Sequence, residues 1–351
     1  METHPPTPTK RRRGFHRWLI LLLVGVSVFA VRAYAPIRPH IQVAPEALAG
    51  PFQVPLLGEM YLTNTLVALA IVQVILLALA LTVRRAVRRG QPVLTGLAGV
   101  VEVIIEALYN LVESTAGKSA RRIFPWMATI VLVVLTANWS KLLPGVESIG
   151  VLHEAHGAIE GYPTRELFRL GDLPVTTLVL GEPGAGHAED EHLYTVAPFV
   201  RGLPTDLNFT VALALISVVV TQVIGVQAAG RSYFSKFFNF GRFARMWTRE
   251  NLGPFEAIFP LLDIFVGLLE LVAEIAKIIS FSFRLFGNLF AGAVLLIIIG
   301  TLVPVFLPSG VLLFELFVGL IQALVFGMLT LVFMTMATQL HGAGHDESGA
   351  H

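Results

Sequence analysis

Six apolar runs, separated by charged punctuation, organise the 351 residues of this chain. They fall at roughly Trp18 to Ala35, Tyr61 to Val83, Phe124 to Leu143, Leu207 to Ala229, Phe255 to Gly300 and Val311 to Ala337. Each is long enough to cross roughly 30 Å of hydrocarbon, so each predicts a helix. The fifth run is the exception to a simple span, because about 45 helical residues rising about 1.5 Å each would reach about 68 Å. It either breaks near Gly287 into a hairpin or lies strongly tilted, and a nearly horizontal helix would need a protein partner over its polar face. Between the second and third runs, Gln91 to Thr115 carries Val93, Leu97, Val100, Val101, Ile104, Ile105, Leu108 and Leu111 at helical spacing, with Glu102, Glu106 and Glu113 among them. That pattern predicts an amphipathic helix on the membrane surface or against a partner.

The expected fold is therefore an all-α membrane protein: an N-terminal anchor helix plus about five helices, including the amphipathic surface helix and a long, strongly tilted C-terminal helical hairpin. It divides into a basic tail, anchor and outer linker over 1–60, a membrane domain over 61–340 with an extracytoplasmic insertion at 145–205, and a polar tail over 341–351. No internal repeat of transporter type is visible.

Charge placement fixes the expected orientation. Lys10 to Arg13, Arg84 to Arg89, Lys118 to Arg122 and Arg231 to Arg249 fall on one side if the first run crosses outward, and basic loops mark the cytoplasm. The 145–205 loop holds Glu147, Glu154, Glu160, Glu166, Asp172, Glu182, Glu189, Asp190 and Glu191 and falls on the opposite face. The C-terminus is then cytoplasmic. The first run, followed by Ala33-Tyr-Ala35, fits both a cleavable signal peptide and a signal anchor, of which the uncleaved anchor is favoured.

Composition agrees: 55% of residues are hydrophobic and 14% charged, with a formal net charge of +1. No basic face points to nucleic acid. The absence of cysteine excludes a disulfide framework, thiolate zinc, iron–sulfur clusters and cysteine nucleophiles. Val112 to Ser119 ends like a phosphate-binding loop, but Val112 stands where the first glycine is required and no strand precedes it. His153, His156, His187 and His192, like His341, His345 and His351, read as members of solvated segments rather than metal ligands. No metal or cofactor is expected.

One cation changes the picture. Arg284 lies in a strongly apolar stretch, and no charged residue follows it until Glu315. An arginine near the bilayer centre costs about 2.5 to 3.5 kcal/mol on insertion scales, and its guanidinium does not deprotonate in proteins. Such a charge points to ion movement. Glu270, Glu274, Lys277, Phe281 and Arg284 follow steps of four and three and share a face, which Asn288 extends. Glu270 and Glu274 can each reach Lys277, whereas Glu274 lies about 15 Å along the axis from Arg284. A partner for Arg284 must come from another helix or another chain. On the last run, Glu315 and Gln322 share a face with Gly319 between them; the glutamate is a functional candidate, and Gln322 either bonds facing backbone or braces Arg284.

The run Ser280-Phe-Ser-Phe-Arg284-Leu-Phe-Gly-Asn288-Leu-Phe-Ala-Gly292 resembles the signature of subunit a of the F-type ATP synthase. Pro204 to Thr210 is similar to that family's Asp-Leu-Asn motif at a helix start, and Ala137 to Gly145 to its Asn-to-Pro-Gly helix end. Leu269-Glu270, with Lys277 and Arg284 at steps of seven, is similar as well. The resemblance covers most of 61–339. It implies a stator with two aqueous half-channels separated by Arg284, working against a c-subunit ring, with a b-subunit peripheral stalk and the remaining synthase subunits as further partners in a bacterial inner membrane. The implied translocation residues are Arg284, Glu315, Gln322, Asn288, Glu270, Lys277 and Ser280, with H+ as the default ion and nucleotide chemistry on other subunits. Two positions depart from the pattern: Ala293, nine residues after Arg284, where Glu or His is frequent, and Lys141, where an acidic or small residue is common. The rival readings are a secondary transporter whose substrate anion pairs with Arg284, and an assembly protein that uses buried polar pairs to fix helix contacts.

Overall fold

The computed structural model describes residues 15–33, 44–55, 58–89, 95–143, 146–155, 160–170, 173–178, 184–185, 193–230, 233–234, 237, 258–304 and 306–339. These form two compact units: one of 1–41, 151–197 and 291–315, the other of 42–150, 198–290 and 316–351.

The second unit holds the packed helices. An antiparallel ladder, β1 (Ala47–Val54) with β2 (Gly58–Thr63), leads into α2 (Asn64–Arg88), α1 being the N-terminal helix Phe15–Ala33 of the other unit. Thr63 caps α2 by accepting from Leu66 N, and the helix ends on Arg85 and Arg88, cations suited to a helix C-terminus. The amphipathic segment is α3 (Leu97–Ala116), joined by a 3₁₀ turn at Gly117–Ser119 to α4 (Ala120–Ser140). Asp206 caps α5 (Leu207–Ala229) through a 2.9 Å bond from Asn208 N, so the Asp-Leu-Asn motif is a helix-start device.

The structure decides between alternatives that the sequence left open at two elements. The long run forms one unbroken helix, α6 (Ile258–Leu302), of 45 residues. Gly287 does not interrupt it: leucine, isoleucine and phenylalanine on both sides sustain the ladder, and a single glycine costs only about 1 kcal/mol in a helix. The hairpin turn instead lies at 303–306, where Pro304 follows α6 and α7 (Leu307–Gln339) begins. The C-terminal part of the apolar face of α3 is covered by its own chain, while Leu97 and Val100 near its start stay exposed. Leu108 and Val112 are buried in a cluster with Ile123, Met127, Ile130 and Val134 of α4, Ile224 of α5 and Leu285 of α6. Val112, where a phosphate loop would need glycine, is a core residue.

Five helical segments are long and apolar enough to cross a membrane: Asn64–Arg88, Leu97–Ser140, Leu207–Ala229, Ile264–Leu302 and Leu307–Gln339. The membrane part is thus all-helical, as the hydropathy predicts. The 145–205 insertion adds something the reading of apolar runs does not show. It carries β3 (Gly150–Glu154), β4 (Glu160–Gly161), β5 (Thr164–Leu170), β6 (Leu173–Leu178), β7 (Gly184–Ala185) and β8 (Tyr194–Pro198), which pair two by two as β3–β8, β4–β7 and β5–β6. His153 lies on β3, while His156, His187, His192 and the tail histidines lie outside the described residues, as do the basic residues 10–13 and most of 231–249.

Candidate functional site

The helices carrying the predicted residues interlock through small residues and a few side-chain bonds. On α6, Phe281, Leu285 and Leu289 recur every fourth residue and are buried, which fixes the face turned to the core. Phe281 packs between Phe326 and Phe333 of α7, at centroid distances of 5.1 and 5.6 Å. On α7, Gly319 and Gly327 let α4 approach closely. A Cβ added to Gly319 would stand 3.0 Å from Asn138 Cβ, and one added to Gly327 would collide with Val131 Cγ2. Ser217 of α5 and Thr330 of α7 add a buried 2.8 Å hydroxyl pair.

The polar stripe of α6 runs along the edge of that core face, and its members meet different surroundings. Glu274 is buried and receives a 2.7 Å bond from Lys277, which is half-buried. The same ammonium lies 4.7 Å from the centroid of the Phe333 ring, a cation–π arrangement that ties α6 to α7. Glu270, one turn earlier, is half-buried. Of the two carboxylates that spacing allows Lys277, the structure shows the bond to Glu274.

Arg284 is exposed, and so are Ser280 and Asn288 on either side of it. The polar contact of Arg284 among the described residues is a long one, 3.5 Å from Nη2 to Ser280 Oγ. No carboxylate of the described residues forms an ion pair with it, and no hydrogen bond joins it to Gln322, which is half-buried on α7.

Glu315 is buried, at 4% exposure. Within its own unit it lies against α6 at Gly292: a Cβ built there would come 2.6 Å from Glu315 Oε1. The side-chain-free glycine makes room for this carboxylate, which the spacing of the two residues in sequence does not disclose. Ala293, the departure from the family pattern, is the next residue.

Sequence reasoning assigned no role to Asn138 and Trp139 of α4, although they lie in the motif at its end. Asn138 Nδ2 donates to the Gly319 carbonyl at 2.8 Å, and Trp139 Nε1 to the Leu316 carbonyl at 3.1 Å. The signal available was an asparagine and a tryptophan side by side near the end of a long apolar stretch, two donors needing partners. Outside the helices, Glu147 adopts a φ of 67° and its Oε1 accepts from Gly202 N at 2.9 Å, near Lys141, whose Cβ would lie 3.3 Å from a Cβ at Gly202.

Comparison with known proteins bears on this architecture. The family model described as ATP synthase A chain matches residues 65–335. Among relatives, ATP synthase subunit a of Moorella thermoacetica is 26% identical over 258 residues, covering 73% of this chain and 82% of that protein. ATP synthase subunit a 1 of Syntrophotalea carbinolica is 27% identical over 226 residues, covering 64% and 66%. ATP synthase subunit a of a Sulfurihydrogenibium species is 25% identical over 222 residues, covering 63% and 72%. The matched span takes in α2 to α7 nearly whole, including the arginine helix and its partner, and the chain belongs to the ATP synthase A chain family, the subunit a of the membrane sector of bacterial ATP synthases.

Proposed function

We propose that this chain is the stator that presents Arg284 to a ring of c subunits and supplies two aqueous half-channels, one from each side of the membrane. Membership of the family places it in the ATP synthase complex, with ATP synthesis and proton transport as the work of that complex. The finer reading rests on one observation: a cation on an apolar membrane helix, exposed, with no acidic partner among the described residues.

A proton enters one half-channel, rides a carboxyl group of the ring, and leaves through the other. As the carboxyl reaches Arg284, an opposite charge about 4 Å away is worth about 4 kcal/mol at an effective dielectric of 20. That is enough to lower a carboxyl pKa by about one to three units and release its proton. The same charge repels hydronium, so protons cannot short-circuit between the half-channels. The attraction also has to break as the ring turns, which sets an upper limit on its depth. Asn288 and Ser280, one turn either side of Arg284, supply neutral polar groups at the contact.

Glu315 and Gln322 belong to the translocation path, with Ala293 standing where the family frequently has Glu or His. Glu270 marks the cytoplasmic half-channel, and Lys277 acts there mainly by tying helices through Glu274 and Phe333. The ring, the b-subunit stalk and a cytoplasmic C-terminus complete the arrangement. Reconstituted complex carrying Arg284→Ala should assemble and hydrolyse ATP but show no ATP-driven proton uptake. Uptake at the wild-type rate would end this reading, and uptake by the chain alone would favour a secondary transporter.

A further inference from the structure

Asn138 and Trp139 place two adjacent donors of α4 against two carbonyls of α7 that are three residues, or about one turn, apart. A helical carbonyl already bonded within its helix keeps a second lone pair, which in hydrocarbon has no water to satisfy it. The two side chains fill that vacancy at Leu316 and Gly319. Leu316 immediately follows Glu315, and Gly319 lies three residues before Gln322, so the bonded carbonyls stand between the two residues given a role in translocation. Gly319 is what allows the approach: with a Cβ, it would crowd Asn138 Cβ at 3.0 Å, beside an ordinary contact with Trp139 Cδ1 at 3.5 Å. Asn138 itself is 1% exposed.

We propose that Asn138 and Trp139 are positioning residues that lock the rotation of α7 about its axis after Leu316 and so fix the direction in which Gln322 is presented. Two donors on successive α4 residues, bound to carbonyls a turn apart, resist rotation of α7 in a way that one bond cannot. A bond pair also differs from apolar packing, which tolerates sliding of side chains over one another. The inference rests on the stator reading only for the role of Gln322; the lock itself is a property of this chain. The competing use of Asn138 is through Oδ1, a buried acceptor with no hydrogen-bond partner among the described residues, which could hold a water molecule.

The chain has no cysteine, so single cysteines report on α7 without background from this polypeptide. Phe317→Cys, at an exposed position, and Leu320→Cys, at a half-buried one, would be labelled with a membrane-permeant maleimide in the complete complex. Labelling is compared with and without Trp139→Phe, which keeps an aromatic ring but removes the Nε1 donor, and Asn138→Leu, which removes donor and acceptor together. The lock predicts that both substitutions change the ratio of the two labelling rates in the same direction. The size should be about three- to eighteen-fold, the range corresponding to one interhelical hydrogen bond in a membrane. An unchanged ratio with Trp139→Phe overturns the proposal, including the case in which Asn138→Leu alone has an effect, since that result assigns Asn138 to water binding. If Asn138→Leu is lost from the complex, Trp139→Phe decides by itself. Labelling requires no pumping, so normal pumping by Arg284→Ala would refute the stator reading while leaving this measurement intact.

Discussion

Replacing Lys277 by methionine tests whether this residue ties helices together or carries protons. The side chain is near in length and volume, so the change removes charge more than packing. It deletes a 2.7 Å ion pair whose side chains are 23% and 10% exposed, together with the cation over Phe333. Breaking a buried pair from one side costs about 3 to 5 kcal/mol, because the remaining charge loses the attraction of the group removed. Lys277 keeps some access to solvent, which favours the lower end. Loss of the cation–π contact adds about 0.5 to 1 kcal/mol. Lys277→Met should therefore destabilise by about 3 kcal/mol or slightly more. Glu274→Gln combined with Lys277→Met removes both charges and should recover to within about 1 kcal/mol of the parent. The assay is thermal release of this chain from the purified complex, with ATP-driven pumping measured on the same samples. The single variant should be released several degrees earlier, and the double variant should regain both stability and most of the pumping. A single variant as stable as the parent would refute the tie. A double variant that is stable yet cannot pump would return Lys277 to the proton path.

Two other substitutions probe separate parts of the account. Gly327→Val puts a branched side chain where even a Cβ meets Val131 Cγ2, so it should cost about 1 to 3 kcal/mol of overpacking and reduce the amount of chain recovered in the complex; normal recovery would mean that α4 and α7 do not approach there. Glu315→Gln keeps the shape beside Gly292 but removes the exchangeable charge, so pumping in proteoliposomes should slow without vanishing, and a full parental rate would remove Glu315 from the pathway.

The transmembrane framework was legible because a bilayer imposes one rule on every span: about 20 apolar residues with backbone bonds satisfied internally. Runs near 61–83, 207–229 and 311–337 accordingly lie within or largely overlap α2, α5 and α7. The course of α6 was less legible, since hydropathy registers lipid compatibility and is blind to whether one glycine in 45 residues breaks a helix. The turn after α6 was bracketed by the apolar runs themselves, one ending at Gly300 and the next beginning at Val311, with Pro304 and Pro308 between them. The strands of the outer insertion were hidden for a different reason. Segments such as Thr164–Leu170 and Leu173–Leu178 mix charged, aromatic and β-branched residues in lengths too short for a strong periodic signal.

For the site, spacing alone placed Glu270, Glu274, Lys277, Arg284 and Asn288 on one face, because helix geometry is fixed at 3.6 residues per turn. Contacts between helices are not encoded that way. The pairing of Lys277 with Phe333, the bonds from Asn138 and Trp139 to carbonyls of α7, and the fit of Glu315 against Gly292 all depend on how helices far apart in sequence pack.

The central claim is that Arg284, which has no ion-paired carboxylate among the described residues, answers to an acid on the rotor. The most direct measurement is the structure of the assembled complex, read at the guanidinium. The account predicts that a carboxyl group of a ring subunit passes within about 4 to 6 Å of Arg284, the range over which an opposite charge lowers a carboxyl pKa. A guanidinium directed at lipid, or paired with a carboxylate of this same polypeptide while the ring carboxyls pass elsewhere, would contradict it.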